Sequence, residues 1–127
     1  MSNDYLIIDD SDIDILIVNR MIAKYYPDFN PISLSDGAKG IDYLRDVKNG
    51  SKQKPNFILL DLQMPIMDGF EFLEIYEKDL FPALRDIKLI ILTSSIHQID
   101  KQKAEKYQSV TAYMVKPFSI DEFKYFI

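Results

Sequence analysis

The chain has 127 residues, with 15 Lys and Arg against 20 Asp and Glu, a formal net charge of −5. That length suits one domain, residues 1–127, and at 47% hydrophobic and 28% charged the composition is too apolar for a disordered chain. There is no cysteine, which removes disulfides, thiolate metal sites and thiol nucleophiles, and the acidic balance argues against direct nucleic-acid binding through backbone phosphates.

The opening Met1-Ser2-Asn3-Asp4 lacks the basic region of a secretory signal, and Leu6-Ile7-Ile8 runs at once into Asp9-Asp10. The apolar run Leu89 to Leu92 falls far short of the ~20 residues that span a bilayer, so a cytoplasmic protein without membrane contact is expected. The acids divide into 15 Asp and 5 Glu, and Asp is a cap, turn residue and hard-cation ligand rather than a helix former.

Taken in order, Tyr5–Ile8 reads as a short strand and Asp12–Tyr26 as a helix, closed by Pro27 and Pro31. In that helix Ile13, Ile17 and Met21 form one apolar stripe and Ile15, Val18, Ile22 and Tyr25 another; the pattern alone does not choose between them. Ile32–Leu34 reads as a second strand, followed by a helix over Ala38–Val47 capped by Ser35 or Asp36. After a polar loop, Phe57–Leu60 has the unbroken apolar character of a strand buried on both faces. Asp68 caps a helix running to about Leu80, with Phe70, Leu73 and Tyr76 inward. Ile87–Leu92 is a fourth strand, Gln98–Tyr107 a polar helix, Val110–Val115 a fifth strand, and Ser119 caps a last helix through Ile127. Strands alternating with helices throughout predict an α/β fold with a parallel sheet covered on both faces.

In such a sheet, ligands bind at the carboxyl ends of the strands. Here the first strand ends in Asp9-Asp10, the third in Asp61, the fourth in Thr93 and the fifth in Lys116. Two carboxylates about 4 Å apart repel by roughly 4 kcal/mol at an effective dielectric near 20, so three together call for a cation. A hard, oxygen-preferring ion such as Mg2+ suits one or two carboxylates plus a phosphoryl oxygen. Carboxylates, a cation, an ammonium and a hydroxyl around one crevice describe an acceptor for phosphoryl transfer.

The segments Leu6-Ile7-Ile8-Asp9-Asp10, Ile58-Leu59-Leu60-Asp61-Leu62-Gln63-Met64-Pro65-Ile66-Met67-Asp68-Gly69, Leu92-Thr93-Ser94 and Lys116-Pro117-Phe118, in that order and at strand ends, carry a resemblance. The chain resembles, over essentially its whole length, the receiver domain of two-component response regulators. The resemblance implies a flavodoxin-like (βα)5 doubly wound sheet in strand order 2-1-3-4-5. It implies that Asp61 takes a phosphoryl group from a phosphohistidine, with catalytic help from Thr93 and Lys116. It also implies that Mg2+ is held by Asp10, Asp61 and the Gln63 carbonyl, with Asp9 acting through water. Thr93 and Tyr113 would form a switch, Gln63 and Ser95 would bear on phosphoryl lifetime, and the Lys116-Pro117 bond would be cis. Partners would be a sensor histidine kinase or a histidine phosphotransfer protein, with a downstream effector that the sequence does not identify. The domain would be a signalling unit catalysing only its own phosphorylation and dephosphorylation.

Other readings compete. Asp12 and Asp14 are expected to face solvent near a helix N-terminus, where the dipole favours them. His97, the only histidine, is expected to be a solvated residue at the start of a polar helix. A flavin carrier would need a hydroxyl- and Gly-rich cradle where this chain has Asp9-Asp10-Ser11-Asp12. A Mg-dependent phosphatase with an aspartate nucleophile would want a second Asp where Gln63 stands, and a pseudo-receiver would bind partners without phosphorylation. The stripe of Ile120, Phe123 and Ile127 is still running at the last residue, so the chain reads as a trimmed receiver, and the sequence leaves open whether an output domain follows Ile127.

Overall fold

A computed structural model describes residues 3–127. Five parallel strands run in order 2-1-3-4-5: β1 (Asp4–Ile8), β2 (Asn30–Leu34), β3 (Phe57–Leu60), β4 (Lys88–Thr93) and β5 (Val110–Val115). Between and after them lie α1 (Asp12–Tyr25), α2 (Gly37–Lys48), α3 (Gly69–Ile75), α4 (Gln98–Glu105) and α5 (Ile120–Phe123). The expected flavodoxin-like strand order is therefore observed.

Alternation along the strands sorts the core into two layers. Leu6, Ile8, Ile58, Leu60, Leu89 and Ile91 face Leu44, Phe72, Leu73 and Ala104 of α2, α3 and α4. Tyr5, Ile7, Phe57, Leu59, Ile90 and Leu92 face Val18 and Ile22 of α1 and Ile120 and Phe123 of α5. Every residue of β3 is buried, as its unbroken apolar run predicts for the central strand. Of the two stripes on α1, the second is buried at Val18 and Ile22 and half-buried at Ile15, with Tyr25 at its end exposed, while Ile13 and Ile17 of the first are exposed.

Several boundaries differ from the sequence expectation. β2 begins at Asn30 and includes Pro31, which an edge strand tolerates because one side of its ladder is unpaired. The helix after Asp68 is α-helical only to Ile75 and continues as a π-turn over Tyr76–Leu80 and a 3-10 turn over Phe81–Ala83. Pro82 lies in that last turn and has no N–H to donate, so a regular helical ladder cannot continue through it. Leu73 and Tyr76 are buried as expected, but Phe72 is fully buried and Phe70 is only half-buried. α4 stops at Glu105 rather than Tyr107, and α5 gives way to a 3-10 turn at Lys124–Phe126. Among the described residues, no helix is long and apolar enough to cross a membrane.

Candidate phosphoryl-acceptor site

Asp9, Asp61 and Lys116 each directly follow a strand, and Thr93 is the last residue of β4. Because the strands all run parallel, all four side chains arrive at the carboxyl end of the sheet. Backbone bonds hold these strand ends together: Asp61 N–H donates to Ile8 O at 3.0 Å and Lys116 N–H to Thr93 O at 2.8 Å. Asp9, Asp61 and Thr93 are buried, whereas Asp10 is exposed at the rim.

One carboxylate oxygen from each of Asp9, Asp10 and Asp61 lies within 4.8 Å of the others. Three hard oxygen donors so close suit a small divalent cation and repel one another without one. Asp9 Oδ1 accepts from Ser11 N–H at 2.9 Å and Asp61 Oδ1 from Gln63 N–H at 3.1 Å, which orients both carboxylates. The Lys116 ammonium donates to Asp9 Oδ2 at 2.8 Å, to Asp14 Oδ2 at 2.8 Å and to Asp61 Oδ2 at 3.3 Å. The Lys116–Pro117 bond is cis.

Burial pushes the Asp9 carboxyl above the ordinary range, and its bonds from Lys116 and Ser11 offset this only in part, with the Asp61 charge adding to the rise. Burial would lower the Lys116 ammonium, but hydrogen bonds to Asp14 and Asp9 and the Asp61 charge outweigh it and drive it above its usual value. Lys116 therefore carries a full positive charge in a site that four carboxylates surround.

The fourth strand end leads into a hydrogen-bonded turn. Thr93 Oγ1 accepts from Ser95 N–H at 3.3 Å, and the buried Ser95 hydroxyl donates to Asp100 Oδ2 at 2.6 Å. The Tyr113 hydroxyl donates to the Ser95 carbonyl at 3.0 Å, and the half-buried ring pushes its hydroxyl pKa upward by desolvation, with Asp100 and Asp61 adding charge repulsion. Exposed Ser94 donates from its hydroxyl to the Gln63 side-chain carbonyl at 2.6 Å, so these two side chains bridge the mouth of the pocket. His97 is exposed and makes no side-chain cap to α4, as expected.

Asp12 is exposed as expected, but the expectation for Asp14 fails: it is half-buried and paired with Lys116. The missed signal is local. Ser11 is the N-cap, its hydroxyl accepting from Asp14 N–H at 3.2 Å, so Asp14 is the third helical residue and faces back over the strand ends. At Gly69 the packing is strict: a Cβ there would stand 2.6 Å from Leu62 Cα and 2.8 Å from the Asp61 carbonyl oxygen. Only glycine lets the start of α3 press against the backbone that carries Asp61.

A family model described as the response regulator receiver domain matches residues 5–127. The probable methanogenesis regulatory protein FilR2 of Methanothrix harundinacea is 35% identical over 91 residues, covering 72% of this chain and 57% of that protein. The chain thus spans little more than half the length of that relative. Response regulator Rcp1 of Synechocystis is 31% identical over 112 residues, covering 87% of this chain and 74% of Rcp1. The solved Mn(2+)-bound form of Rcp1 superposes with a TM-score of 0.77 at 30% identity, covering 96% of this chain and 87% of that one. A two component response regulator from Cytophaga hutchinsonii superposes with a TM-score of 0.87 at 24% identity, covering 97% and 92%, a likeness of fold.

Proposed function

The chain belongs to the response regulator receiver domain family, and we propose that it is a phosphorylatable switch whose acceptor is Asp61. Receiver domains are signalling domains that take phosphoryl groups from histidine kinases. We read residues 1–127 as one such domain. The observation that carries the acceptor assignment is the Asp61 carboxylate, buried and oriented by Gln63 N–H, with the Lys116 ammonium 3.3 Å from its other oxygen.

An Asp61 oxygen would attack phosphorus in line while the bond from phosphorus to a histidine nitrogen breaks, its electron pair returning to the imidazole. Charge builds on the equatorial phosphoryl oxygens, and catalysis is mainly their neutralisation and positioning. Lys116 sits where it can donate to one of them. The Thr93 hydroxyl, held by Ser95 N–H in this state, would turn to a second. The donor set of Asp9, Asp10 and Asp61 fits Mg2+, with the Gln63 carbonyl as a further ligand. When bound, that ion supplies positive charge to the transferring group.

Movement of Thr93 would release its bond to Ser95 N–H, and the Tyr113 hydroxyl reports that movement because it is held by the carbonyl of the same Ser95. The Thr93/Tyr113 pair would thereby pass the change to α4 and β5 and alter what binds that face. A sensor histidine kinase or a histidine phosphotransfer protein would supply the phosphoryl group, and a protein would read the altered face, with no role for nucleic acid at this domain. We place the protein in the cytoplasm on the same reading.

Incubation with Mg2+ and acetyl phosphate tests the proposal, with Asp61→Asn as the control. Wild type is expected to gain an acid-stable, base-labile phosphate that the variant lacks. No gain on wild type contradicts it.

A further inference from the structure

We propose that Asp14 is a positioning residue that tethers the Lys116 ammonium to α1 and slows phosphoryl acceptance at Asp61. The inference rests on Asp61 being the acceptor and goes beyond it. An ammonium has three N–H donors, and here all three are spent, on Asp9, Asp14 and Asp61. The Asp61 contact is the longest, 3.3 Å against 2.8 Å for each of the other two. Lys116 is therefore held more closely by its flanking carboxylates than by the group whose phosphoryl it must meet.

The local chain explains why Asp14 is available for this. At the third position of a helix capped by Ser, a Glu or Gln side chain turns back to the N-cap N–H in a capping box, and Asp14 offers the same kind of acceptor on a shorter stem. In this protein Ser11 N–H is already taken by Asp9 Oδ1 at 2.9 Å. The reciprocal half of the box is closed to Asp14, whose carboxylate reaches across to β5's end instead. Asp9 thus both holds Lys116 itself and turns Asp14 toward it. For Lys116 to donate to an incoming phosphoryl oxygen, one of its three bonds must yield. A cation at the Asp9, Asp10 and Asp61 oxygens competes for two of them, whereas the Asp14 pair lies outside that set. The Asp14 bond is the one that persists, and because it holds the ammonium toward α1 it must stretch for Lys116 to follow the phosphoryl oxygen.

The test uses Asp14→Asn with Asp12→Asn as its partner control. Both remove one negative charge from the first turn of α1, but the exposed Asp12 makes no ion pair with Lys116. With saturating Mg2+ and acetyl phosphate, Asp14→Asn is expected to take up phosphate about two- to fivefold faster than wild type, the size of releasing one partly exposed ion pair. Asp12→Asn is expected to match wild type. Equal rates for the two variants, or a slower Asp14→Asn, overturn the proposal. Lys116 ε-CH2 resonances provide a readout that needs no phosphorylation: a shift in Asp14→Asn but not in Asp12→Asn supports the tether, and no shift overturns it. Phosphate on no protein, wild type included, overturns the Asp61 assignment instead, and the resonances then decide the tether alone.

Discussion

The Tyr113 hydroxyl donates to the Ser95 carbonyl at 3.0 Å, which ties β5 to the turn that follows Thr93. The same Ser95 donates its amide to Thr93 Oγ1 at 3.3 Å and its hydroxyl to Asp100 of α4 at 2.6 Å. One buried serine thus joins the Thr93 hydroxyl, the aromatic side chain of Tyr113 and the fourth helix. Tyr113→Phe deletes only the first of these links. It is expected to cost about 0.5–1.5 kcal/mol of stability and to leave phosphorylation of Asp61 near wild-type level. Phosphorylation-dependent amide shifts over Ser95–Asp100 are expected to shrink in NMR spectra of the variant; shifts of wild-type size would separate Tyr113 from the switch.

Gly69 is expected to be intolerant of even one methyl. A Cβ at 2.6 Å from Leu62 Cα meets backbone, which cannot swing aside as a flexible side chain would. Gly69→Ala is expected to destabilise by about 1–3 kcal/mol, as overpacking does, and to slow phosphate uptake because the displaced backbone carries Asp61. Chemical denaturation and the acetyl phosphate assay read the two effects on the same preparation.

Ile66 is a fully exposed, β-branched residue at φ 68°. A left-handed conformation costs an ordinary L-residue about 1–2 kcal/mol, and Asn tolerates it better. Since no packing is lost, Ile66→Asn is expected to stabilise by about 1 kcal/mol, raising Tm by about 3–5 °C. An unchanged or lower Tm would show that the Ile66 side chain stabilises the loop in some other way.

Asp9 carries the pH dependence of the site. Its carboxyl is raised above the ordinary range, by burial first and by Asp61, so the folded state binds its proton more tightly than the unfolded chain does. Ionised Asp9 therefore costs stability at neutral pH, and that cost fades as pH falls through its raised value to below the ordinary one. Without metal, Asp9→Asn is expected to raise Tm at pH 7, because Lys116 keeps Asp14 and Asp61 as partners. The advantage over wild type is expected to narrow as pH falls. Added Mg2+ is expected to raise wild-type Tm and to raise that of Asp9→Asn much less. Differential scanning fluorimetry across pH, with and without Mg2+, measures all three.

The strand-end residues were legible in the sequence because a parallel sheet leaves little choice. A four-residue apolar run such as Phe57–Leu60, short and bounded by polar turn residues, reads as a buried strand, and the polar residue after it is then delivered to the carboxyl end of the sheet. Asp9, Asp61 and Thr93 follow from that rule, while Lys116 follows β5, an edge strand whose run is broken by exposed Thr111 and is legible mainly from its place after the fourth helix. Asp14 did not, because its direction depends on which residue caps α1 and on Asp9 occupying Ser11 N–H, a tertiary arrangement that no periodicity encodes. The overlapping stripes of α1 were unresolved for a similar reason: Ile13 and Ile17 are as apolar as Val18 and Ile22, and only packing against the sheet separates them. The π-turn after Ile75 is indistinguishable from plain helix in the sequence, since Tyr76 and Leu80 keep helical spacing while the backbone adjusts beneath them.

The most direct test of the account is to locate the phosphoryl group. Protein treated with acetyl phosphate and Mg2+ is reduced with borohydride, which converts an acyl phosphate to homoserine at its own position, and peptides are sequenced by mass spectrometry. Homoserine at position 61 alone is the expected result. A modification at Asp9, Asp10 or Asp14, a phosphate on His97, or no modification at all would contradict Asp61 as the acceptor.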